Sequence, residues 1–303
     1  HSEVPGTLTG IGNDLELISG TPIISYSQLN PDGSGSVVLA RYEGGWISET
    51  IHPRAGGGST RYIHYEVANF PHAPLLFFSG RHGLFEAHEN PTGQGWLTAR
   101  IDAGADANTP LSMAADRMGF SSLAYCGQTA GSSTLMEARP NYGIDLWDPA
   151  PILQETCTDA MHFGAQISGG TQYIITTNKQ LKVIFGSSDP HVTTIDEGAP
   201  GVWIGRGLSG GTNVSQYWIA YTAYGINTGR TTLRLAFHDI NEGGWHLMAG
   251  PAGNFAGWTH LEQLWFDGSR PQKISLLYYD VNESALKRAS WPPKPDIFLP
   301  IIR

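Results

Sequence analysis

The sequence predicts an all-β repeat fold, and three observations carry that prediction. The 303 residues include 38 glycines, and short apolar runs alternate with turns rich in Gly, Asn, Asp and Ser. No window shows the 3.6-residue period of an amphipathic helix. A run of apolar and aromatic residues recurs about every fifty residues, with its last residues at Tyr26, Phe78, Tyr125, Thr176, Tyr221 and Tyr278. Six repeats of this length, each with several short strands, are typical of a six-bladed β-propeller.

Each repeat contributes four predicted antiparallel strands, labelled A to D outward from the propeller axis. Strand B is the recurrent apolar run. Strand C follows it and has a small or apolar centre at Ala40, Ala87, Ala138, Ile184, Ala236 and Ala289. A tryptophan opens strand D in four repeats, at Trp46, Trp96, Trp147 and Trp245, and its recurrence in phase indicates packing. Strand A precedes strand B, at residues 62–68, 111–116, 161–167, 202–208 and 258–264.

These strands place residues 1–291 in a single propeller domain. The predicted blades cover about 13–52, 61–103, 110–154, 160–197, 201–250 and 257–290. The sixth repeat has no clear strand D after Trp291, whereas Glu3 to Thr9 form an extra strand-like segment at the other end of the chain. We therefore expect the N-terminal strand to close the ring, which would remove a free sheet edge.

Residues 292–303 form a separate C-terminal tail. Its Pro292-Pro293-Lys294-Pro295 segment cannot continue a strand ladder, and an apolar tip rich in Ile, Phe and Leu follows it. Three interpretations stay open. The tail packs on the outer rim, it replaces the N-terminus as the sixth outer strand, or it serves self-assembly or surface attachment.

Charge and hydropathy bound the class of partner. The formal net charge of −9 argues against a nucleic-acid groove, which needs clustered basic residues. No apolar stretch reaches the length of a transmembrane segment. Because the chain begins at His1, we expect a signal peptide or an expression tag to have been removed. The sequons at Asn213 and Asn282 agree with a secreted or cell-surface protein.

The order of an Ile-Ala-Tyr strand, such as Ile219-Ala220-Tyr221, a strand with a central alanine, and then Gly-Trp resembles that of one group of secreted propellers. These are the bacterial propellers with sialidase-like (BNR-type) repeats. The Asp-box turn of true sialidases, Ser-x-Asp-x-Gly-x-Thr-Trp, does not occur, and no Arg triad or Tyr-Glu nucleophile pair can be mapped. The architecture is also similar to that of fungal fucose-binding lectins, but their Arg, Glu and Trp site pattern is not reproduced. The resemblance therefore implies a propeller architecture and transfers no site residue.

The predicted loop face, where the D–A and B–C loops meet, carries the first group of candidate residues. Aligning the A strands places His64, His162 and His260 in equivalent positions of alternate blades, and Glu66 and Glu262 lie two residues after two of them. Imidazole and carboxylate groups near the axis can bind a divalent cation such as Zn²⁺ or Ca²⁺, or supply a general base. The alternative is that they satisfy backbone groups between the blades.

A second group of candidates on the same face suits sugar recognition. Aromatic rings stack on the C–H faces of sugars, and charged donors hydrogen-bond to hydroxyl, uronate or sulfate groups. The residues of this group are Arg54, Arg81, His82, Trp203, Arg206, Tyr224 and Trp258. For Trp203 and Trp258, packing at the start of strand A is the alternative.

Cys126 and Cys157 are the two cysteines, and the predicted blades bring them to the same face. A disulfide between them would fit an oxidising compartment, and two free thiols are the alternative. Their spacing is not that of a redox or zinc motif, and P-loop, GxGxxG, HExxH and GxSxG motifs are absent.

These features favour a secreted, lectin-like propeller that binds a glycan or another extracellular macromolecule. The first alternative is a glycoside hydrolase or polysaccharide lyase that uses His64, Glu66, His260 and Glu262. The second is a structural or assembly subunit at the cell surface. A propeller architecture alone does not decide among the three.

Overall fold

In the computed structural model the described residues form 24 β-strands and include no α-helix. The described residues are 8–18, 20–29, 35–53, 57–63, 75–80, 82–93, 95–105, 111–115, 121–129, 132–141, 146–162, 172–177, 179–186, 189–204, 208–212, 216–239, 244–249, 261–266, 274–280 and 285–291. Within this part of the chain no helix could span a membrane. The prediction of an all-β protein is confirmed.

The strands form six antiparallel sheets, numbered I to VI in chain order. Sheet I contains β1 (Leu8–Ile18), β2 (Thr21–Leu29), β3 (Gly35–Tyr42) and β4 (Trp46–His52). Sheet II contains β5 (Gly57–Ile63), β6 (Leu75–Gly80), β7 (Gly83–Glu89) and β8 (Trp96–Asp102). Sheet III contains β9 (Ser112–Ala115), β10 (Ser121–Thr129), β11 (Ser132–Asn141) and β12 (Leu146–Leu153).

The later sheets follow the same order. Sheet IV contains β13 (Asp159–His162), β14 (Gln172–Thr176), β15 (Leu181–Phe185) and β16 (His191–Asp196). Sheet V contains β17 (Val202–Ile204), β18 (Ser209–Thr212), β19 (Gln216–Gly225), β20 (Arg230–Asp239) and β21 (Trp245–Ala249). Sheet VI contains β22 (Leu261–Phe266), β23 (Ile274–Asp280) and β24 (Ala285–Trp291).

The chain divides into two compact units, which are described separately. Residues 1–155 hold sheets I to III, and residues 156–303 hold sheets IV to VI. In sheets I to IV, each strand pairs with its neighbours in sequence, which is the pattern of a meander. In sheet V, β17 and β18 both pair with β19, so that the innermost strand is in two pieces.

The register of the sheets agrees with the phase of the sequence repeat. In four sheets the tryptophan that opens the outer strand pairs with the residue two positions after the central alanine. These pairs are Trp46 with Tyr42, Trp96 with Glu89, Trp147 with Pro140, and Trp245 with His238. The same residue types therefore occupy the same place in each of these sheets.

A β-bulge recurs near the end of the outer strand in sheets I to IV. At this point the pairing skips one residue, and the skipped residue is always an isoleucine: Ile51, Ile101, Ile152 and Ile195. A bulge brings two consecutive side chains to the same face of a strand. Ile51 and His52 thus both contact sheet II, since Ile51 packs with Phe78 and the His52 ring lies 5.9 Å from the Phe78 ring. Burial of such an isoleucine contributes about 1.5–3 kcal/mol.

The core lies between successive sheets. Leu76, Phe78 and Ala87 of sheet II form one buried cluster with Val37 and Leu39 of sheet I. In the second unit, sheets IV and V share a cluster to which Ile174, Val183, Ile219, Tyr221 and Ala236 belong. Apolar faces on both sides of a strand explain why strands B and C read as nearly continuous apolar runs.

The repeated tryptophans differ in their burial. Trp147 is 6% exposed, and its indole Nε1 donates a hydrogen bond of 2.7 Å to Oε2 of Glu86 in sheet II. Trp96 and Trp245 pack against the clusters of their own units. Trp46 departs from the predicted packing role, because it is 44% exposed. It lies in sheet I, which is the first sheet of its unit.

The innermost strands differ most from the prediction. β5 (Gly57–Ile63) begins before the predicted 62–68, and β13 (Asp159–His162) begins before the predicted 161–167. Residues 64–68 and 163–167 lie outside the described part of the chain. Sequences such as Gly57-Gly58-Ser59 have little apolar pattern, so that pairing with strand B sets their position. The predicted closing strand, Glu3 to Thr9, is corrected at its last two residues. Leu8 and Thr9 pair with β2 in sheet I, and residues 3–7 lie outside the described part of the chain.

Candidate functional site

An exposed tryptophan, Trp203, in contact with the half-buried Tyr224 marks the candidate site. The two residues pair across β17 and β19, with ring centroids 6.3 Å apart and ring planes at 45°. Trp203 is 49% exposed, although residues of this type are usually mostly buried. Both belong to the predicted sugar-binding group, and the structure brings them into contact. We call Trp203 and Tyr224 the aromatic platform.

The hairpin of β19 and β20 explains why the platform is exposed. Its pairing continues for four residue pairs beyond Tyr221, from Thr222 with Leu233 to Gly225 with Arg230. The turn that follows carries the exposed Ile226 and is closed by hydrogen bonds from the amides of Thr228 and Gly229 to the Gly225 carbonyl. Thr222, Ala223 and Leu233 of these pairs are buried, whereas the turn residues 226–230 are exposed. The platform thus lies where the buried part of the hairpin gives way to its exposed turn.

A short connection from β16 leads to the platform. The amide of Val202 donates to the carbonyl of Ala199 at 2.9 Å, and the amide of Ile226 donates to the carbonyl of Gly201 at 2.8 Å. Gly198 has a φ of +63°, and a Cβ there would lie 2.9 Å from the Lys179 carbonyl oxygen. The connection can therefore accept no side chain at this glycine without a shift of the backbone.

The connection begins at a buried carboxylate. Asp196 is 7% exposed, and its Oδ1 accepts a hydrogen bond of 2.9 Å from the Gly198 amide. Its Oδ2 accepts bonds of 2.7 Å from the Tyr221 hydroxyl and 2.6 Å from Nη1 of Arg234. We call Asp196, Tyr221 and Arg234 the Asp196 cluster.

The Asp196 cluster is held in one charge state. Burial alone would raise the pKa of Asp196, but the Gly198 amide, the Tyr221 hydroxyl and the Arg234 guanidinium together hold that pKa below its usual value. Burial, followed by the charge of Asp196, raises the pKa of Tyr221 well above its ordinary value. The carboxylate thus stays ionised and the phenol stays protonated, as hydrogen bonding between them requires.

Equivalent positions in the first unit carry different chemistry. Oδ2 of Asp102 accepts a bond of 2.7 Å from the Tyr125 hydroxyl, and its Oδ1 accepts one of 2.7 Å from the Gly104 amide. Burial and the neighbouring Asp102 raise the pKa of Tyr125. The residue that pairs with Tyr125 is Met136, whereas Arg234 pairs with Tyr221. The Asp102 arrangement therefore lacks the cation of the Asp196 cluster.

Sequence reasoning missed Asp102, Asp196 and Arg234 because each contact joins different repeats. A local signal does exist. An Ile-Asp-x-Gly segment ends the outer strand in the second and fourth repeats, at 101–104 and 195–198, and a tyrosine ends strand B of the following repeat.

The other predicted sugar-binding residues are less completely described. His82 is exposed in the turn between β6 and β7. Four residues lie outside the described part of the chain: Arg54, Arg81, Arg206 and Trp258. The platform is thus the pair of predicted ligand residues whose geometry is known.

The predicted equivalence of the three histidines stays a prediction, because His64 and His260 lie outside the described residues. The backbone of His162 is described, and this residue pairs with Tyr173 across β13 and β14.

The catalytic and metal assignments therefore stay predictions. His64, Glu66 and His260 lie outside the described residues, and Glu262 is placed only as part of the backbone of β22. Among the side chains that the structure describes, no three His, Cys, Asp or Glu residues come together as a metal site would require.

The two cysteines, Cys126 and Cys157, are both disulfide-bonded and buried. Neither thiol is therefore free to act as a nucleophile or as a metal ligand.

Comparisons with known proteins identify the fold. No family model matches the chain, and no curated protein matches it significantly. An ancestral GH74 enzyme is similar over 92% of this chain, with a TM-score of 0.62 and 12% identity, but the chain spans only 41% of that enzyme's length. The Hadza microbial sialidase Hz136 has a TM-score of 0.56 and 12% identity over 94% of this chain and 65% of its own. AofleA from Arthrobotrys oligospora has a TM-score of 0.55 and 10% identity over 94% and 82%.

These similarities indicate a propeller-like all-β fold. Two of the three proteins are named for glycoside chemistry. At identities of 10–12% the likeness concerns the fold alone.

Proposed function

We propose that this protein is a lectin-like, carbohydrate-binding β-propeller that holds a sugar ring against the aromatic platform. The observation that carries the proposal is the exposure of Trp203 beside Tyr224, near the turn of the β19–β20 hairpin. A large aromatic side chain left half in water forgoes the stability that its burial would give. Flat aromatic surfaces of this kind suit the C–H face of a pyranose.

Polar groups near the platform can complete the recognition of a sugar. The Asn227 side chain lies beside Gly201, and Arg230 is exposed on the far side of the turn. Amide and guanidinium donors hydrogen-bond to hydroxyl and carboxylate oxygens. The proposal also keeps Arg54, Arg81, His82, Arg206 and Trp258 as further ligand residues, from their predicted places on the loop face.

The proposal includes the finer architecture of six blades in one secreted or cell-surface domain. The six sheets, one for each repeat of about fifty residues, support this architecture. Three strands of sheet VI are described, so a fourth from residues 3–7 would complete the last blade. Deletion of residues 1–7 is then expected to lower the thermal midpoint of unfolding, and an unchanged midpoint would contradict closure by the N-terminus.

Binding can be tested on a panel of immobilised polysaccharides, with retention and released products measured together. We expect W203A to weaken retention at least about tenfold, since a central aromatic anchor is worth about 1.4 kcal/mol or more. W46A is the matched control, because Trp46 is 44% exposed and also contacts a tyrosine across strands, with its ring centroid 5.6 Å from that of Tyr42. Equal loss in both variants, or none in W203A, would contradict the platform.

A second candidate function is a glycoside hydrolase or polysaccharide lyase, which the likeness in fold to a GH74 enzyme and a sialidase favours. It would use His64, Glu66, His260 and Glu262. Released products that disappear when all four are changed to alanine would support it. Loss of binding or turnover with EDTA would support a divalent cation held by His64, His162 and His260.

A further inference from the structure

We propose that Asp196 and Arg234 are positioning residues for the aromatic platform. They fix the start of the connection from sheet IV to sheet V, and so set where Trp203 stands. The consequence for ligand binding rests on the proposed function, whereas the consequence for the position of Trp203 rests on the contacts alone.

The connection from β16 to β17 is short and is held along its length by hydrogen bonds. Asp196 and Trp203 are seven residues apart. The Gly198 amide bonds to Asp196, the Val202 amide bonds to Ala199, and the Gly201 carbonyl accepts the amide of Ile226. Because the connection is short and bonded at both ends, we expect a displacement of the Asp196 carboxylate to shift Val202 and not to be absorbed within the loop.

Arg234 also ties the Asp196 carboxylate to the hairpin that carries Tyr224. Tyr221 lies on β19 and Arg234 lies opposite it on β20, and both bond to Oδ2 of Asp196. The β19–β20 hairpin is thus held to this part of the chain by two connections. One is the pairing of Trp203 on β17 with Tyr224, and the other is the bonding of Asp196, at the end of β16, to Tyr221 and Arg234.

The first unit contains a natural counterpart of the Asp196 cluster. Asp102 makes the equivalent bonds to Tyr125 and the Gly104 amide, with Met136 at the place of Arg234. R234M therefore converts the Asp196 cluster into an arrangement that the protein already uses. We expect this variant to fold, so that its effect on the platform can be measured.

The experiment uses the full chain labelled with 5-fluorotryptophan, which gives one fluorine resonance for each of nine tryptophans. The W203F variant identifies the Trp203 resonance. We expect R234M and D196N to shift or broaden that resonance, and R234K, which keeps the charge, to restore it largely. D102N is the matched control and should leave the Trp203 resonance unchanged.

A Trp203 resonance that stays in place in both folded variants, R234M and D196N, would overturn the proposal. A resonance that moves equally in D102N would also overturn it, because the effect would then be general destabilisation.

Retention on the polysaccharide that the unmodified protein binds through Trp203 supplies the second readout. We expect R234M to weaken retention about threefold to tenfold, as is usual for groups coupled in one network. Unchanged retention in R234M would overturn the functional part of the inference. If W203A itself leaves retention intact, the proposed function fails, and the fluorine resonance still decides whether Arg234 positions Trp203.

Discussion

Replacement of Trp147 by phenylalanine tests how one sheet is joined to the next in the first unit. The indole Nε1 of Trp147 donates to Oε2 of Glu86, which is 4% exposed, at 2.7 Å, and its ring meets Phe77 edge to face with centroids 5.2 Å apart. Phenylalanine keeps an aromatic ring but has no donor. The variant weakens the hydrogen bonding of a buried carboxylate and leaves part of the indole volume empty.

The magnitude follows from these two losses. A hydrogen bond to a charged group contributes about 1.5–3 kcal/mol, and the loss of part of a buried ring adds about 1 kcal/mol. We therefore expect W147F to lower the free energy of unfolding by about 2.5–4 kcal/mol. W96F is the control, because Trp96 occupies the same place in sheet II and is only partly buried.

The assay is urea unfolding of the unmodified protein, W147F, E86Q and the double variant. The difference between the summed single effects and the double effect isolates the interaction of Trp147 with Glu86. We expect a coupling of about 1–2 kcal/mol. A coupling below about 0.5 kcal/mol, or a loss in W147F no larger than in W96F, would refute the claim that this bond joins the sheets.

Two further predictions concern pH and redox state. Burial against Phe78 lowers the pKa of His52 from 6.5, so the folded state favours the neutral ring. The contribution of the neutral ring to the free energy of unfolding is present above pH 6.5 and is lost as the pH falls through the folded-state pKa. Thermal unfolding between pH 8 and 5 checks this, and H52Q should flatten that part of the profile. Removal of the disulfide in C126S/C157S should cost about 3–4 kcal/mol for a closed loop of roughly thirty residues. Identical thermal midpoints with and without reductant would contradict this estimate.

Strands B, C and D could be predicted from the sequence because their residue types repeat in phase. Ile219, Tyr221 and Ala236 read as strand residues and are all buried between sheets IV and V. The inner strands could not be placed, since segments such as Gly57-Gly58-Ser59 carry no alternation of polar and apolar residues. Their position follows from pairing, which sequence patterns do not specify.

The candidate site shows the same division. Trp203 and Tyr224 could be singled out as exposed aromatic candidates, because each lies near a predicted loop. Their contact depends on the register between β17 and β19, and the Asp196 cluster depends on three strands from two repeats. These contacts join residues that are far apart in the sequence, and the Ile-Asp-x-Gly segment is the only local sequence pattern that indicates them.

The recurrent bulge also affects how the protein avoids association with other sheets. An outer strand presents unpaired amide and carbonyl groups to solvent, and a long regular edge invites pairing with another chain. The extra isoleucine interrupts that edge in β4, β8, β12 and β16, and β12 carries Pro149 and Pro151 as well. Each of these edges is therefore a poor template for strand addition. We therefore expect the isoleucine at each bulge to disfavour strand addition by shortening the regular edge of its strand.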